Sequence, residues 1–192
     1  MFFSKIKFGL QSQRSIARSK RGVAAVEFAL VAPIIVTLLL GSVDAVYALT
    51  AKRKVSVASS TMADLVAREV RITNDDIRGI SDLGKLVMTP FDVNTARIVV
   101  TGFQVDASGR NAQVRWSDPI GPGAVAKSVG TTVALDTPLQ PNVFLVLSEV
   151  ELPYRTLLGF LERYLDLPNM FTLSDRRYFQ SRSGLAIDRT SS

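Results

Sequence analysis

Residues 23–43 read VAAVEFALVAPIIVTLLLGSV, a run of 21 positions with a single charge, Glu27. As a helix the run would be about 31 Å long at about 1.5 Å per residue, which matches a hydrocarbon core about 30 Å thick. Its uncharged part, Phe28 to Val43, is only 16 residues, so the flank decides the reading. Lys5, Lys7, Arg14, Arg18, Lys20 and Arg21 precede the run with no acid among them. A soluble buried helix does not normally follow six unopposed positive charges. A cleaved secretory signal has an apolar region of about 7–15 residues and a small-x-small exit. Here the exit, Ser42-Val43-Asp44-Ala45-Val46-Tyr47-Ala48, offers no clean site of that kind. A membrane anchor fits better, with the signal peptide as the lesser alternative. Lys52, Arg53 and Lys54 follow the run, so the charge bias is modest, but it puts the N-terminus in the cytoplasm and residues beyond 50 on the far side.

Composition narrows the functions available. The chain of 192 residues has neither Cys nor His, which removes thiol nucleophiles, disulfides, Cys/His metal sites and His-based triads together. With 47% hydrophobic residues it can form a packed core. The net charge is +6, and the six leader cations account for all of it: removing them from the 23 Lys and Arg leaves 17, which equals the 17 Asp and Glu. A nucleic-acid binder keeps its basic excess on the folded domain, so no nucleic-acid partner is expected; a flank attracted to anionic lipid is.

Glu27 is the odd residue of the apolar run. A carboxylate there is costly and often functional, although at four residues from the start it reads equally well as an interfacial group that snorkels. Its neighbourhood, Arg21-Gly22-Val23-Ala24-Ala25-Val26-Glu27-Phe28, changes the balance. The string resembles the processing site of type IV pilins, in which a basic leader ends in Gly, a prepilin peptidase cuts after it, and a Glu stands fifth in the mature chain. A cut between Gly22 and Val23 makes Glu27 the fifth residue. Phe28 is similar to the aromatic that follows in the tight-adherence (Flp) branch, and Arg21 to Pro33 as a whole resembles the TadE/TadG-like pseudopilins of that system.

The resemblance implies that Glu27 is an assembly residue. Cleavage would expose an ammonium on Val23, and the Glu27 carboxylate of a neighbouring subunit could pair with it, although a buried pair is weak ground for net stability. Repeated contacts of that type build open helical assemblies. Arg14, Arg18, Lys20 and Arg21 would hold the leader in the cytoplasm. Pro33 removes the helix hydrogen bond to the Ala29 carbonyl, so a kink is expected there, unless the proline is merely tolerated as membrane helices often do. Asp44 reads as the far interface.

Beyond the membrane run, Val46, Leu49, Val57, Met62, Leu65 and Val66 recur at near-helical intervals up to Val70, with Ala51, Ala58 and Ala63 fitting a closely packed face. One long helix, lipid-embedded and then amphipathic, is expected; the alternative is a second helix after a break near Lys52. Thr73-Asn74-Asp75-Asp76 reads as a capping box opening a helix through Ile77, Ile80, Leu83 and Val87, which Pro90 ends. Asp75 and Asp76 lack the ligand series of a calcium loop. From Arg97 to Val105 the pattern is that of a strand, Asp106-Ala107-Ser108-Gly109 is turn chemistry, and Ala112 to Trp116 returns. Pro119 to Gly123 reads as a loop, Thr131 to Leu135 as a short strand, and Val143 to Leu152 as a central strand whose far end is half exposed. Glu149 and Glu151 share a face; a solvated strand face is the favoured reading over an acid/base pair. Leu157, Leu158, Phe160, Leu161, Tyr164 and Leu165 suggest a short helix before Pro168 or, alternatively, an apolar loop for subunit contacts. Met170 to Arg182 reads as the last strand and Gly184 to Ser192 as a frayed tail. The tracts Tyr154 to Leu161 and Phe171 to Ser174 also resemble the C-terminal region of TadE-like proteins.

The expected architecture is α+β: a long N-terminal membrane-spanning helix, then a small antiparallel sheet with one or two short helices. The divisions are a basic leader over 1–22, a transmembrane helix over 23–49, its amphipathic continuation over 50–72, a periplasmic domain over 73–185 and a tail over 186–192. The resemblance implies a minor pilin or pseudopilin in the inner membrane that supports surface adhesion and biofilm formation. Its implied partners are the prepilin peptidase, other pseudopilins, the major pilin and the inner-membrane pilus platform. No cofactor, metal or enzymatic activity is expected. The rivals are an uncleaved membrane-anchored periplasmic scaffold and, far behind, a membrane-tethered hydrolase using its Asp and Glu residues.

Overall fold

A computed structural model describes residues 20–135, 138–156, 159 and 170–190. The chain divides into two compact units, residues 1–42 and 43–192, and one helix contributes to both. That helix, α1 (Lys20–Arg68), runs without interruption through Pro33 and past Lys52. The break considered near Lys52 is therefore absent.

Within the second unit, α1 is followed by β1 (Arg71–Ile72), α2 (Asn74–Met88), a 3-10 turn (Val93–Thr95), β2 (Arg97–Val105), β3 (Asn111–Ile120), β4 (Thr132–Ala134), β5 (Phe144–Arg155), β6 (Met170–Gln180) and β7 (Asp188–Arg189). Strands β2 to β6 form an antiparallel sheet in the order β4-β3-β2-β5-β6, and β1 pairs in parallel with β7. The fold is α+β, as expected.

Local chemistry explains most of these elements. The Thr73 hydroxyl accepts from the Asp76 backbone N–H at 3.2 Å and the Asp76 carboxylate accepts from the Thr73 N–H at 2.8 Å, a complete capping box for α2. In the β2–β3 turn, Asp106 Oδ1 accepts from the backbone N–H of Ser108 at 3.0 Å and of Arg110 at 3.3 Å, while Gly109 takes a φ of +69°, which a residue without Cβ adopts at no steric cost. Hydrogen bonds from Asn111 and Ser108 hold the Asp106 carboxyl down at about 2.

The main core lies between α1 and one face of the sheet. Val55, Ala58, Met62, Val66 and Ala67 of α1 pack with Ile98, Val100, Phe144, Val146, Val150 and Leu152. Each Val, Ile, Leu, Met or Phe side chain among them contributes roughly 1.5–3 kcal/mol when fully buried. Small residues let the helix lie close: Ser59 is buried and its hydroxyl donates to the Ser148 carbonyl at 2.8 Å. A second apolar cluster, including Phe103, Val105, Val114, Leu145 and Leu147, lies apart from it.

Several expectations need correction. Val46, Leu49 and Val57 are exposed rather than packed (63%, 62% and 53%). At about 100° per residue they fall on the side of α1 opposite Val55, Ala58, Met62 and Val66. In α2, Leu83 is exposed and Gly84 occupies the packed position, facing the Met62 side chain. The third strand is longer than expected and includes Pro119, paired opposite Val99. Because β4 pairs with β3 only at Asn111–Gln113, β3 is an edge strand at Pro119, the position in a sheet where proline is tolerated.

The tail, too, is not frayed over its described length. Ile187 is buried, its carbonyl accepts from Trp116 Nε1 at 2.9 Å, and the Arg189 guanidinium grips Asp118 with two bonds of 2.8 Å. The suggested helix at Leu157 to Leu165 lies outside the described residues, apart from Gly159.

Two predictions follow from packing and charge. A Cβ at Gly102 would stand 2.4 Å from Trp116 Cε2 and 2.7 Å from Phe144 Cζ, both rigid rings. Gly102→Ala should therefore destabilise the protein by about 1–3 kcal/mol, read as a lowered Tm of the full chain in detergent. Asp106 has a folded pKa below its ordinary 3.8, so its stabilisation is present above 3.8 and lost as pH falls towards about 2. The stability difference between wild type and Asp106→Ala should narrow over that window in acid-unfolding curves.

Candidate functional site

The residues the sequence singles out lie in the first half of α1. Within residues 22–42, nearly every side chain is exposed: Val23, Val26, Phe28, Leu30, Ile34, Ile35, Leu38 and Leu39 are all large and apolar, with Phe28 at 72%. Such a helix is unstable in water, because each of these side chains forgoes roughly 1.5–3 kcal/mol of burial. A lipid environment would supply the apolar cover, since an α-helix satisfies its own backbone groups there. The two hydroxyl side chains of the run are satisfied internally as well. The Thr37 hydroxyl donates to the Pro33 carbonyl at 2.8 Å and the Ser42 hydroxyl to the Leu39 carbonyl at 2.7 Å. Among the described residues this is the one helix long and apolar enough to cross a membrane.

The structure arranges the motif along one helical turn. The Gly22–Val23 bond lies at the start of α1, and Val23 and Glu27 stand at i and i+4, on the same side of the helix and about 6 Å apart along its axis. Glu27 and Phe28 are both exposed, open to a partner. Lys20 and Arg21 begin the helix; Arg14 and Arg18 lie outside the described residues. Pro33 sits inside the continuous helix.

At the other end of the apolar run, Asp44 does more than mark an interface. The Tyr154 hydroxyl of β5 donates to Asp44 Oδ1 at 2.8 Å, across 110 residues of sequence. Burial, reinforced by Asp44, pushes the Tyr154 phenol up to about 12. Phe91 meets the Tyr154 ring edge-on at a centroid distance of 6.4 Å. No local pattern announces this contact.

The acids of β5 are not simply solvated, which corrects the sequence reading. Lys127 Nζ and Arg176 Nε approach the Glu149 carboxylate at 2.6 and 3.0 Å, and Arg97 meets Glu151 at 2.8 Å. Arg97, Lys127, Glu149 and Glu151 line a groove of about 310 Å³. Both carboxylates are engaged by cations, the arrangement of an ion-pair network rather than of a free acid and base. Among the described residues no group of three or more Asp and Glu side chains is placed to hold a metal ion.

A charge in the middle of the apolar run tests the lipid assignment. Val36→Arg should oppose insertion by about 2.5–3.5 kcal/mol and move the chain out of the carbonate-resistant membrane fraction.

Comparison with known proteins agrees with this geometry. Residues 22–64 match the family described as TadE-like protein. The match covers the apolar run, Glu27 and much of the buried stretch of α1; the Tyr154 to Ser174 tract lies outside it. No curated protein matches the chain, and no solved structure does. The resemblance carried by Arg21 to Pro33 is thus met by a family match, and over residues 22–64 the chain is similar to the TadE-like family.

Proposed function

We propose that this chain is a minor pilin or pseudopilin of the tight-adherence pilus, held in the inner membrane by α1 until assembly, with its folded domain in the periplasm. The observation that carries the reading is the exposed apolar helix that bears a lone carboxylate, Glu27, one turn beyond a Gly22–Val23 bond, within a TadE-like match. In this reading a prepilin peptidase removes residues 1–22. The new ammonium on Val23 then meets the Glu27 of a neighbouring subunit, and Phe28 packs beside that contact. In lipid, where water does not compete, a mismatched register leaves a charge unpaired and is penalised, so the pair favours one stagger between helices.

The folded domain would present its surface to other pseudopilins, the major pilin and the platform, and its function is assembly and, through it, adhesion and biofilm formation. Chemistry is not its task in this reading: the chain has no Cys or His, and Glu149 and Glu151 are engaged by Lys127, Arg176 and Arg97.

Intact-mass measurement of the membrane-extracted protein tests the cut. In peptidase-competent cells the N-terminus should be Val23, and in peptidase-deficient cells Met1. Met1 in both would favour the uncleaved scaffold. If cleavage is found, Glu27→Ala should still be cut and inserted but enter assembled pili far less than wild type; equal incorporation would remove Glu27 from the assembly role.

A further inference from the structure

The contacts of the second unit identify the end of the sheet that lies beside Asp44. Strand β6 runs alongside α1 in the same direction, and successive contacts step along both. Tyr154, which pairs with Phe171 at the start of β6, bonds Asp44. Lys52 then donates to the Ser174 carbonyl, Arg177 donates to the Ser56 hydroxyl at 2.8 Å, and the Arg182 side chain meets Asp64. Finally the Arg182 backbone N–H donates to the Ala67 carbonyl at 2.8 Å. The level of Asp44 along α1 is therefore the level at which β5 ends and β6 begins.

Asp44 is the first charged residue after the uncharged run Phe28 to Val43. A headgroup layer extends about 5–8 Å beyond the hydrocarbon on each side. Groups within side-chain reach of Asp44 fall inside that layer. Their chemistry suits it: Tyr47 and Met170 are half exposed (52% and 54%), Phe171 is 43% exposed, and Arg155, paired with Met170, is exposed. An aromatic and apolar rim carrying a cation matches the composition of a membrane–water interface, where rings sit at headgroup depth and Arg reaches lipid phosphates.

We infer that the β5–β6 end, at Tyr154, Arg155, Met170 and Phe171, rests in the lipid headgroup layer, so that the folded domain lies on the bilayer surface rather than standing clear of it. The inference rests on the single-pass anchor proposed above. The Asp44–Tyr154 bond is the latch that sets the depth of this rim, since it ties the end of the sheet to the point where the chain leaves the hydrocarbon.

The absence of Cys makes each introduced thiol a unique label site. The full chain, reconstituted in vesicles of zwitterionic and anionic phospholipid, would carry a fluorophore at Phe171→Cys or, as a second variant, Met170→Cys. Val36→Cys in the apolar run and Leu185→Cys, exposed beyond Arg182, serve as references. Lipids bearing a nitroxide at the headgroup should quench the labels at 171 and 170 several-fold more than the label at 185. The inference is overturned if 171 and 170 are quenched no more than 185 while acyl-chain nitroxides quench 36. Emission at 171 that responds to protein density and not to lipid nitroxide assigns the rim to a second copy and also overturns it. If 36 is not quenched by acyl-chain nitroxides, the anchor itself is wrong and the inference fails with it.

Discussion

The structure depends on one constraint: a single unbroken helix, α1, must be covered by two different media. From Val23 to Val43 nearly all its side chains are exposed in the protein and, apart from Glu27, Thr37 and Ser42, apolar, which water does not support. From Ala51 to Ala67 its buried positions recur every three to four residues and pack against the sheet. The helix is therefore a core element in its second half and, in its first, a segment long and apolar enough to cross a membrane. Its two halves carry different sequence signatures for that reason: bulky residues on every side where lipid provides cover, and Ala51, Ala58, Ser59 and Ala63 where the sheet must approach closely.

That arrangement makes the second half of α1 a spine for the rest of the fold. The sheet contributes its inner face, α2 closes against Met62 through Gly84, and the C-terminal residues return to the end of the helix. Arg182 joins Ala67 and Asp64, Ile187 fills the core beneath Trp116, and β7 pairs with β1 just after α1 ends. Arg189 then locks this corner through Asp118 and Asn74. The ends of the folded domain are thus tied by contacts across more than a hundred residues, which resist fraying of either end.

What the sequence reveals and what it hides divide along the range of the interactions. The apolar run, the Thr73–Asp76 capping box and the Asp106–Gly109 turn are written in neighbouring residues, and each is found where expected. The buried side of α1 beyond Asp44 is not legible that way. Val46, Leu49 and Val57 are as apolar as Val55 and Val66, and only the position of the sheet decides which side packs. Strand β7 is two residues long, too short for any period, and is held by Asp118 and Trp116, each 71 residues distant in sequence from its partner. The Tyr154–Asp44 bond and the cations around Glu149 likewise join residues that no local motif relates. For the candidate assembly site the sequence identifies the residue types and spacing, and the structure adds that they share one exposed helical turn.

Amide hydrogen exchange of the full chain in lipid discs, read peptide by peptide, addresses the central claim directly. A continuous α1 that passes from lipid into the protein core requires slow exchange from Phe28 through Ala67, with no fast segment between Val43 and Lys54. Rapid, loop-like exchange over Val43 to Lys54 would divide α1 into an anchor and a separate core helix, and rapid exchange from Phe28 to Val43 would remove the anchor altogether.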